Sequence, residues 1–574
     1  MKKYLFIALA ALGFAACAEK MDDNSPVQKG EVEESYIAIN LMAADVDTRA
    51  ATDSYGYEDG TTAERAIKTA YFFFFDANGN PFNVTGAPAT APGGEKNYLP
   101  LTIGATTGKT DPNVSDIKEA VVVLSTYKGV YPSQIVAVIN WTPAGDKNTY
   151  SLDELHEVME NSIGNDTNGY VMSNSVYMDG AGKVVDAVPL TAANIKTTAD
   201  AAKAAPVDIY VERTAAKVVL TASGKVANSD NIFDTQKDSS PLGTTLVGNA
   251  SSIDVYVKLN GWELYNDYSN STLLKNIQNW DVATLGLTWN DIPYYRCYWA
   301  ESQSENPDDS FSWEYTQDDN QGTFNGYPTA YGFKVASAAN YTDRATYTYC
   351  GENTNGEDYR TKVILKGQLM QENGDEYKPL ELARWYGTEY AGRQALKTAV
   401  ANSLKFTLFS STDGQHFTGI TPEDLECVAG TPGTKAYEVG FQLSIDGQDK
   451  TWYQYSSANG YQVLGTLEKE VNKTKTNEYL ATVEPALLYA EGQTYYYIDI
   501  EHLGTAGAKY GVVRNHVYQI DVKSIKGYGS PVYMGTSNIV TPPEYPLDDE
   551  ASYVAARINV LSWKVVKQQV NVGQ

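Results

Sequence analysis

Apolar and polar positions alternate along most of this chain with the period of β-strands. Residues 35–44 (SYIAINLMAA) set Ile37, Ile39 and Leu41 at every second position, which predicts a strand with one buried face. Residues 63–76 (AERAIKTAYFFFFD) enter a second strand and stop at the turn Asn78-Gly79-Asn80-Pro81. Residues 120–125 (AVVVLS) and 135–141 (IVAVINW) are unbroken apolar runs, as strands covered on both faces require. Residues 207–222 (VDIYVERTAAKVVLTA) predict one long strand, bent or bulged near Thr214. Further short strands are expected at 253–263, 361–369, 405–410, 438–445, 495–500 and 516–525, between loops dense in Asp, Asn, Gln and Gly. Helical signals are few. Ser151 to Glu154 form a capping box ahead of Leu152, Leu155, Val158 and Met159, which share a helix face. Residues 192–205 are Ala-rich, and 386–404 read as one helix. No repeat of about 20–50 residues is visible, which argues against a solenoid or propeller.

Both ends carry a strand set apart from its neighbours. The first is followed by a polar, Gly/Asp/Thr-rich stretch, 45–62, that includes Arg49. The last, 553–572 (YVAARINVLSWKVVKQQV plus two residues), lies beyond a Pro/Gly/Asp-rich linker at 527–552. One strand alone can neither bury its faces nor satisfy its edges, so this tail must pair with something, in its own chain or another. Its apolar positions include Ile558, Val560, Leu561, Trp563, Val565 and Val566.

Length and charge narrow the field. At roughly 150 residues per domain, 574 residues allow two to four domains, or two large β-domains. A Ser/Asp/Asn-rich stretch at 223–248 is a candidate boundary. Lys+Arg 44 against Asp+Glu 71 leaves a net charge of −27, which argues against a nucleic-acid partner. The 43 Tyr against 15 Phe and 9 Trp suit half-wet β-surfaces.

The start of the chain points to export. Met1-Lys2-Lys3 precede an apolar stretch at 4–14 that is too short to span a bilayer as a mature helix, and the run ends in Phe14-Ala15-Ala16-Cys17. A small residue followed by Cys resembles a bacterial lipobox, which implies cleavage before Cys17 and acylation of that Cys. The acidic residues 18–24 resemble the surface-export tethers of Bacteroidetes lipoproteins. Cys297, Cys350 and Cys427 remain, an odd number with no zinc spacing; buried thiols are expected, with one disulfide left open.

Signals for catalysis are sparse. There is no G-x-S-x-G elbow, no Walker A loop and no dinucleotide fingerprint. His156, His416, His502 and His516 fall at no metal-binding spacing, and each reads as structural. Asp318-Asp319-Asn320 lacks the glycine and distal glutamate of a calcium loop. No enzyme activity, catalytic residue, metal or cofactor is expected. Trp262, Trp280, Trp289, Trp299 and Trp313 cluster in sequence and leave open a surface glycan-binding lipoprotein; a glycosidase is a distant third.

Several stretches, in order, resemble the Bacteroidales fimbrillins, in the group of the minor-fimbrium shaft protein (type V pilins). They are the lipobox at Cys17, the exposed Arg49 behind the first strand, VERTAAK at 211–217, YCGENT at 349–354, VVRNHVY at 512–518 running into VKSI at 522–525, and VLSWK at 560–564. The resemblance implies two transthyretin-like β-sandwich domains with short helices and a C-terminal donor strand. It divides the chain into a signal peptide (1–16), a propeptide with the first strand (17–49), an N-terminal domain (50–224), a C-terminal domain (225–530), and a linker with donor strand (531–574). It implies a lipidated outer-membrane precursor that an Arg-specific, trypsin-like protease cuts between Arg49 and Ala50. The strand bearing Ile37, Ile39 and Leu41 is then displaced. A neighbour's terminal strand, anchored by Ile558, Val560, Leu561, Trp563, Val565 and Val566, replaces it. The implied partners are copies of this chain, other fimbrial subunits at tip and anchor, the protease, and host or bacterial surface ligands. A tip or anchor adhesin is the alternative within the family.

Overall fold

The structure is a computed structural model. It describes residues 32–44, 60–84, 96–100, 106–107, 114–127, 131–160, 164–165, 167–178, 184–224, 232–234, 246, 253–265, 271–277, 300–302, 324–325, 331–332, 347–355, 360–374, 376–429, 438–502, 510–531, 539–540, 553–561 and 565–567. The fold is mainly β. Numbering only the principal strands, these are β1 (Val32–Ala44), β2 (Ala70–Phe75), β3 (Val114–Tyr127), β4 (Gln134–Ile139), β5 (Met172–Asn174), β6 (Val207–Arg213), β7 (Ala215–Thr221), β8 (Val255–Tyr265), β9 (Tyr347–Gly351), β10 (Lys362–Asn373), β11 (Gln493–Asp499), β12 (Val517–Lys526), β13 (Tyr553–Leu561) and β14 (Val565–Lys567).

The first sheet runs Tyr98–Pro100, β2, β4, β5, β6, β1, β3, Thr106–Thr107, with Val188–Pro189 also on β4. It curls over on itself. Phe72 and Phe74, near one end, share a core with Val122 and Leu124, near the other. The apolar run of β2 is explained by its position, since Phe73 and Phe75 fill a second core on the opposite face with Val136, Val138 and Leu155. Ser151 caps the helix Leu152–His156 through the predicted capping box. That helix lasts only five residues: Met159 belongs to a short strand, Met159–Glu160, rather than to the helix face.

The long strand expected at 207–222 is two strands broken at Thr214, whose N–H donates to the Val171 carbonyl at 3.0 Å. β6 stays in the first sheet. β7 enters a second sheet, ordered β9-β7-β12-β13-β14. A third sheet, Ile232–Asp234, β8, β10, β11, Ser530–Pro531, packs against it. Their shared core contains Val218, Leu220, Tyr518 and Ile520 from one layer and Val257, Trp262, Leu365 and Ile498 from the other, as a sandwich does.

Between β10 and β11 lies a module that the strand pattern did not reveal. Two small sheets and the helices Gly392–Leu404 and Lys469–Leu480 enclose their own core around Trp385, Leu396, Val400, Phe441, Trp452 and Leu488. The helix expected from residue 386 begins at Gly392. Tyr386 and Gly387 take positive φ (48° and 71°) and turn a hairpin, Leu382–Trp385 against Thr388–Tyr390, ahead of it.

Candidate functional site

β1 is not an edge strand. It runs antiparallel to β3, from Val32 opposite Tyr127 to Ala43 opposite Asp116. On its other side it runs parallel to β6, from Ile39 beside Val207 to Ala43 beside Val211. Ile37 is fully buried in the core with Phe72, Phe74, Val122 and Ile209. Ile39 lies opposite Ala120, and Leu41 lies beside Ile209. β1 therefore fills a slot whose two walls are β3 and β6. Without it, both walls would present unpaired backbone groups over an apolar floor. Cys17, Arg49 and Ala50 lie outside the described residues.

The last strand is placed differently. β13 pairs antiparallel with β12 of its own chain, setting Val560 opposite Tyr518, Ile558 opposite Ile520 and Leu561 opposite Val517. β14 folds back on β13, with Val565 opposite Leu561 and Val566 opposite Val560. Trp563 lies outside the described residues. On β12, Val517, Tyr518, Ile520, Val522 and Ile525 are buried, and across the ladder they stand opposite Leu561, Val560, Ile558, Ala556 and Val554.

The three internal motifs converge where the first sheet meets the second. Glu64, beyond the polar 45–62 stretch, is 1% exposed. Its carboxylate accepts from Lys217 Nζ at 2.9 Å and from the Tyr349 hydroxyl, while its carbonyl accepts from Arg213 Nε at 2.7 Å. Burial opposes its ionisation most strongly, but Lys217, then Arg213, and the Tyr349 hydrogen bond outweigh that and hold its pKa at about 2. Burial, then the Glu64 charge, pushes the Tyr349 phenol far above its ordinary value. Arg213 Nη1 also donates to Asn515 Oδ1 at 3.2 Å. Beside this cluster, Arg514 clasps Glu352 (Nη2 to Oε1 3.2 Å) and donates to Thr272 Oγ1 at 2.6 Å, and Lys275 pairs with Glu212 at 2.7 Å. Buried, paired charges of this kind favour one arrangement of the joint, because breaking any pair strands a charge away from water. The sequence did carry a signal for it: Glu212, Arg213 and Lys217 interrupt two otherwise apolar strands.

The remaining candidates resolve locally. His156 meets Asp186 at 2.6 Å; burial works against its protonated form, but Asp186 outweighs it and raises the pKa. His416 pairs with Asp413 on the surface, and His502 and His516 are buried. Cys350 and Cys427 are buried thiols outside any disulfide, and burial raises the Cys427 pKa to about 11. Trp262 is a core residue of β8, fully buried. Trp280, Trp289, Trp299, Trp313, Cys297 and Asp318 to Asn320 lie outside the described residues. Among the described residues no three His, Cys, Asp or Glu gather as a metal site.

Residues 487–569 match the family described as "Major fimbrial subunit protein type IV, Fimbrillin, C-terminal". The match spans β11 to β14 and includes VVRNHVY and VLSWK. No curated protein matches the chain. Solved structures with similarity include a candidate cell adhesion protein from Parabacteroides distasonis (12% identity, TM-score 0.35, covering 91% of this chain and 96% of that one). They also include a fimbrial assembly protein from the same species (11% identity, TM-score 0.27, 74% and 100%). A third is the tip fimbrial protein Mfa3 from Porphyromonas gingivalis (11% identity, TM-score 0.28, 92% and 99%). The similarity to the fimbrillin C-terminal family is carried by residues 487–569.

Proposed function

We propose that this chain is the precursor of a structural subunit of a cell-surface fimbria, the polymerising shaft pilin. It is exported as a lipoprotein on Cys17, cut between Arg49 and Ala50, and polymerised by donor-strand exchange in the service of adhesion. The observation that carries this reading is the placement of β1. The covalent link from this interior strand to the strands it pairs with runs through the segment containing Arg49. One cut there ends the covalent link between β1, with its lipid, and the strands it pairs with, so that its departure then costs only the two ladders and the core contacts. The vacated slot then offers two strand edges and the floor around Phe72, Phe74 and Val122.

The terminal strand supplies the filler. Moving it from β12 into a neighbour's slot makes a head-to-tail contact, which extends as an open filament. Burying five or six apolar anchors from among Ile558, Val560, Leu561, Trp563, Val565 and Val566 contributes roughly 10 kcal/mol gross, at about 1.5–3 kcal/mol each. The partners in this reading are copies of the chain, tip and anchor subunits, an Arg-specific protease and surface ligands.

Arg49→Ala is expected to leave lipidated, unpolymerised monomers at the outer membrane, seen by electron microscopy and mass spectrometry; normal filaments from that variant would sink the cleavage-gated mechanism. N-terminal sequencing of surface protein separates the shaft from the anchor alternative: Ala50 for a released shaft subunit, Cys17 for an anchor that keeps its strand. A glycan platform built on the Trp cluster loses one member, because Trp262 is enclosed in the sandwich core.

A further inference from the structure

The segment that follows the Arg49 loop is fastened to the fold at two points, neither of which involves β1. The first is Glu64. Thr61 N–H donates to its carboxylate and its own N–H donates to Thr61 Oγ1, which closes a tight turn over residues 61–64. From that turn Glu64 reaches Arg213 at the end of β6, Lys217 on β7 and Tyr349 on β9. The second is Asn140, at φ 57°. Its amide donates to the Ala66 carbonyl at 2.7 Å and accepts from Lys68 N–H at 2.7 Å. The fit is close: a Cβ at Gly60 would lie 2.8 Å from Arg213 Nη2.

β6 shows what this fastening is for. While β1 is in place, β6 is hydrogen-bonded on both sides, to β1 over Val207 to Val211 and to β5 over Val211 to Arg213. Once β1 is gone, one whole side is bare. The β5 pairing is only three residues long, extended by the Ser175 N–H to the Tyr210 carbonyl, and at that end β6 is held further by Arg213 on Glu64 and Asn515 and by Glu212 on Lys275.

We propose that the Glu64 cluster is a staple that stays closed when β1 leaves, and that it holds β6, the wall of the vacated slot, in register for the incoming strand. The proposal rests on the strand-release reading and adds the residue that keeps the emptied subunit competent. Glu64 belongs to the retained part of the chain, on the far side of the cut from β1. It bonds to the second sheet as well as to the first, so its grip does not depend on the strand that departs. A vacated slot with a loose wall would have to reorder as it captured a strand; a stapled wall is already in place.

The test uses the full chain, its Glu64→Gln variant and its Lys217→Met variant, each before and after an Arg-specific protease. Mass spectrometry identifies the product. Hydrogen–deuterium exchange is then followed in peptides covering residues 60–70 and 207–217. Each variant is expected to exchange faster than the parent, by a ratio at least tenfold larger after the cut than before it, and the cleaved parent is expected to stay slow. An equal ratio before and after, or a cleaved parent that itself exchanges fast over residues 60–66, overturns the staple while leaving strand release intact. A product that still holds residues 32–44 overturns the strand-release premise and the staple's role with it, and mass alone recognises that case.

Discussion

The first and last strands are alike in sequence and opposite in placement. Each is an apolar stretch beyond a polar connection, yet β1 has partners along both sides whereas β13 hangs on the margin of its sheet, with only the three-residue β14 beyond it among the described residues. An interior strand cannot leave without breaking two ladders and emptying a core; a marginal strand gives up one ladder and a small hairpin. The asymmetry matches the proposed roles. The strand that must be held until a defined moment is locked in and needs a covalent cut. The strand that must reach a neighbour is the one that peels.

The largest expected effect tests that lock. Ile37→Asp places a carboxylate in the core of the first sheet and is expected to cost about 5 kcal/mol or to prevent folding outright. Ile558→Asp is expected to cost at most about 1–2 kcal/mol in the monomer, because β13 can open at that cost and carry the carboxylate into water. Urea midpoints of the full-length proteins check both, and equal losses would break the contrast. Next in size, Glu64→Ala leaves Lys217 buried and unpaired, for a loss of about 3–5 kcal/mol. Adding Lys217→Met should recover part of it, read in the same titration.

Acid sharpens the comparison further. Glu64 titrates near 2 in the fold against an ordinary 4.5, so its contribution is complete above about pH 4.5 and is lost as the pH falls through 2. Glu64→Gln should flatten stability across that window, measured as urea midpoint against pH. His156 has the opposite sign. Its raised pKa contributes fully below 6.5 and fades as the pH rises through the folded value, and His156→Gln should remove that slope. The smallest effect is local: amides of β13 are expected to open at roughly 1–2 kcal/mol, well below those of β1, by native-state hydrogen exchange.

Strand existence was legible because period two is written in the residues. The run at 35–44, the apolar runs before Ser125 and Trp141 and the break at Thr214 all correspond to elements of the fold. Placement was not legible. Nothing in SYIAINLMAA says that its neighbours are β3 and β6, because both lie far along the chain. The helix start was misread because Tyr386-Gly387 sits among good helix formers, and its positive φ values are a tertiary outcome. The buried joint was visible only as motifs. Arg213, Glu352, Arg514 and Asn515 lay within those motifs, but their partners Glu64 and Thr272 come from segments that pairwise spacing cannot link. The module between β10 and β11 escaped as a unit: strands near 408–411 and 438–443 and the helix to Leu404 were expected, but its other strands, of two to six residues, are too short for alternation to separate them from loops.

The break at Thr214 has a mechanical consequence. Residues 207–221 form one wall of the slot and then, past a single kink, lie parallel to β12, from Lys217 beside Val517 to Thr221 beside Asp521. β12 in turn leads to the tail. In a head-to-tail filament, tension entering one subunit at its slot would have a direct route to its tail: down β6, around the kink, and across one parallel ladder stressed along its length, where the hydrogen bonds resist together. The module between β10 and β11 stands off that line, so it could be enlarged, reshaped or decorated without thinning the cable.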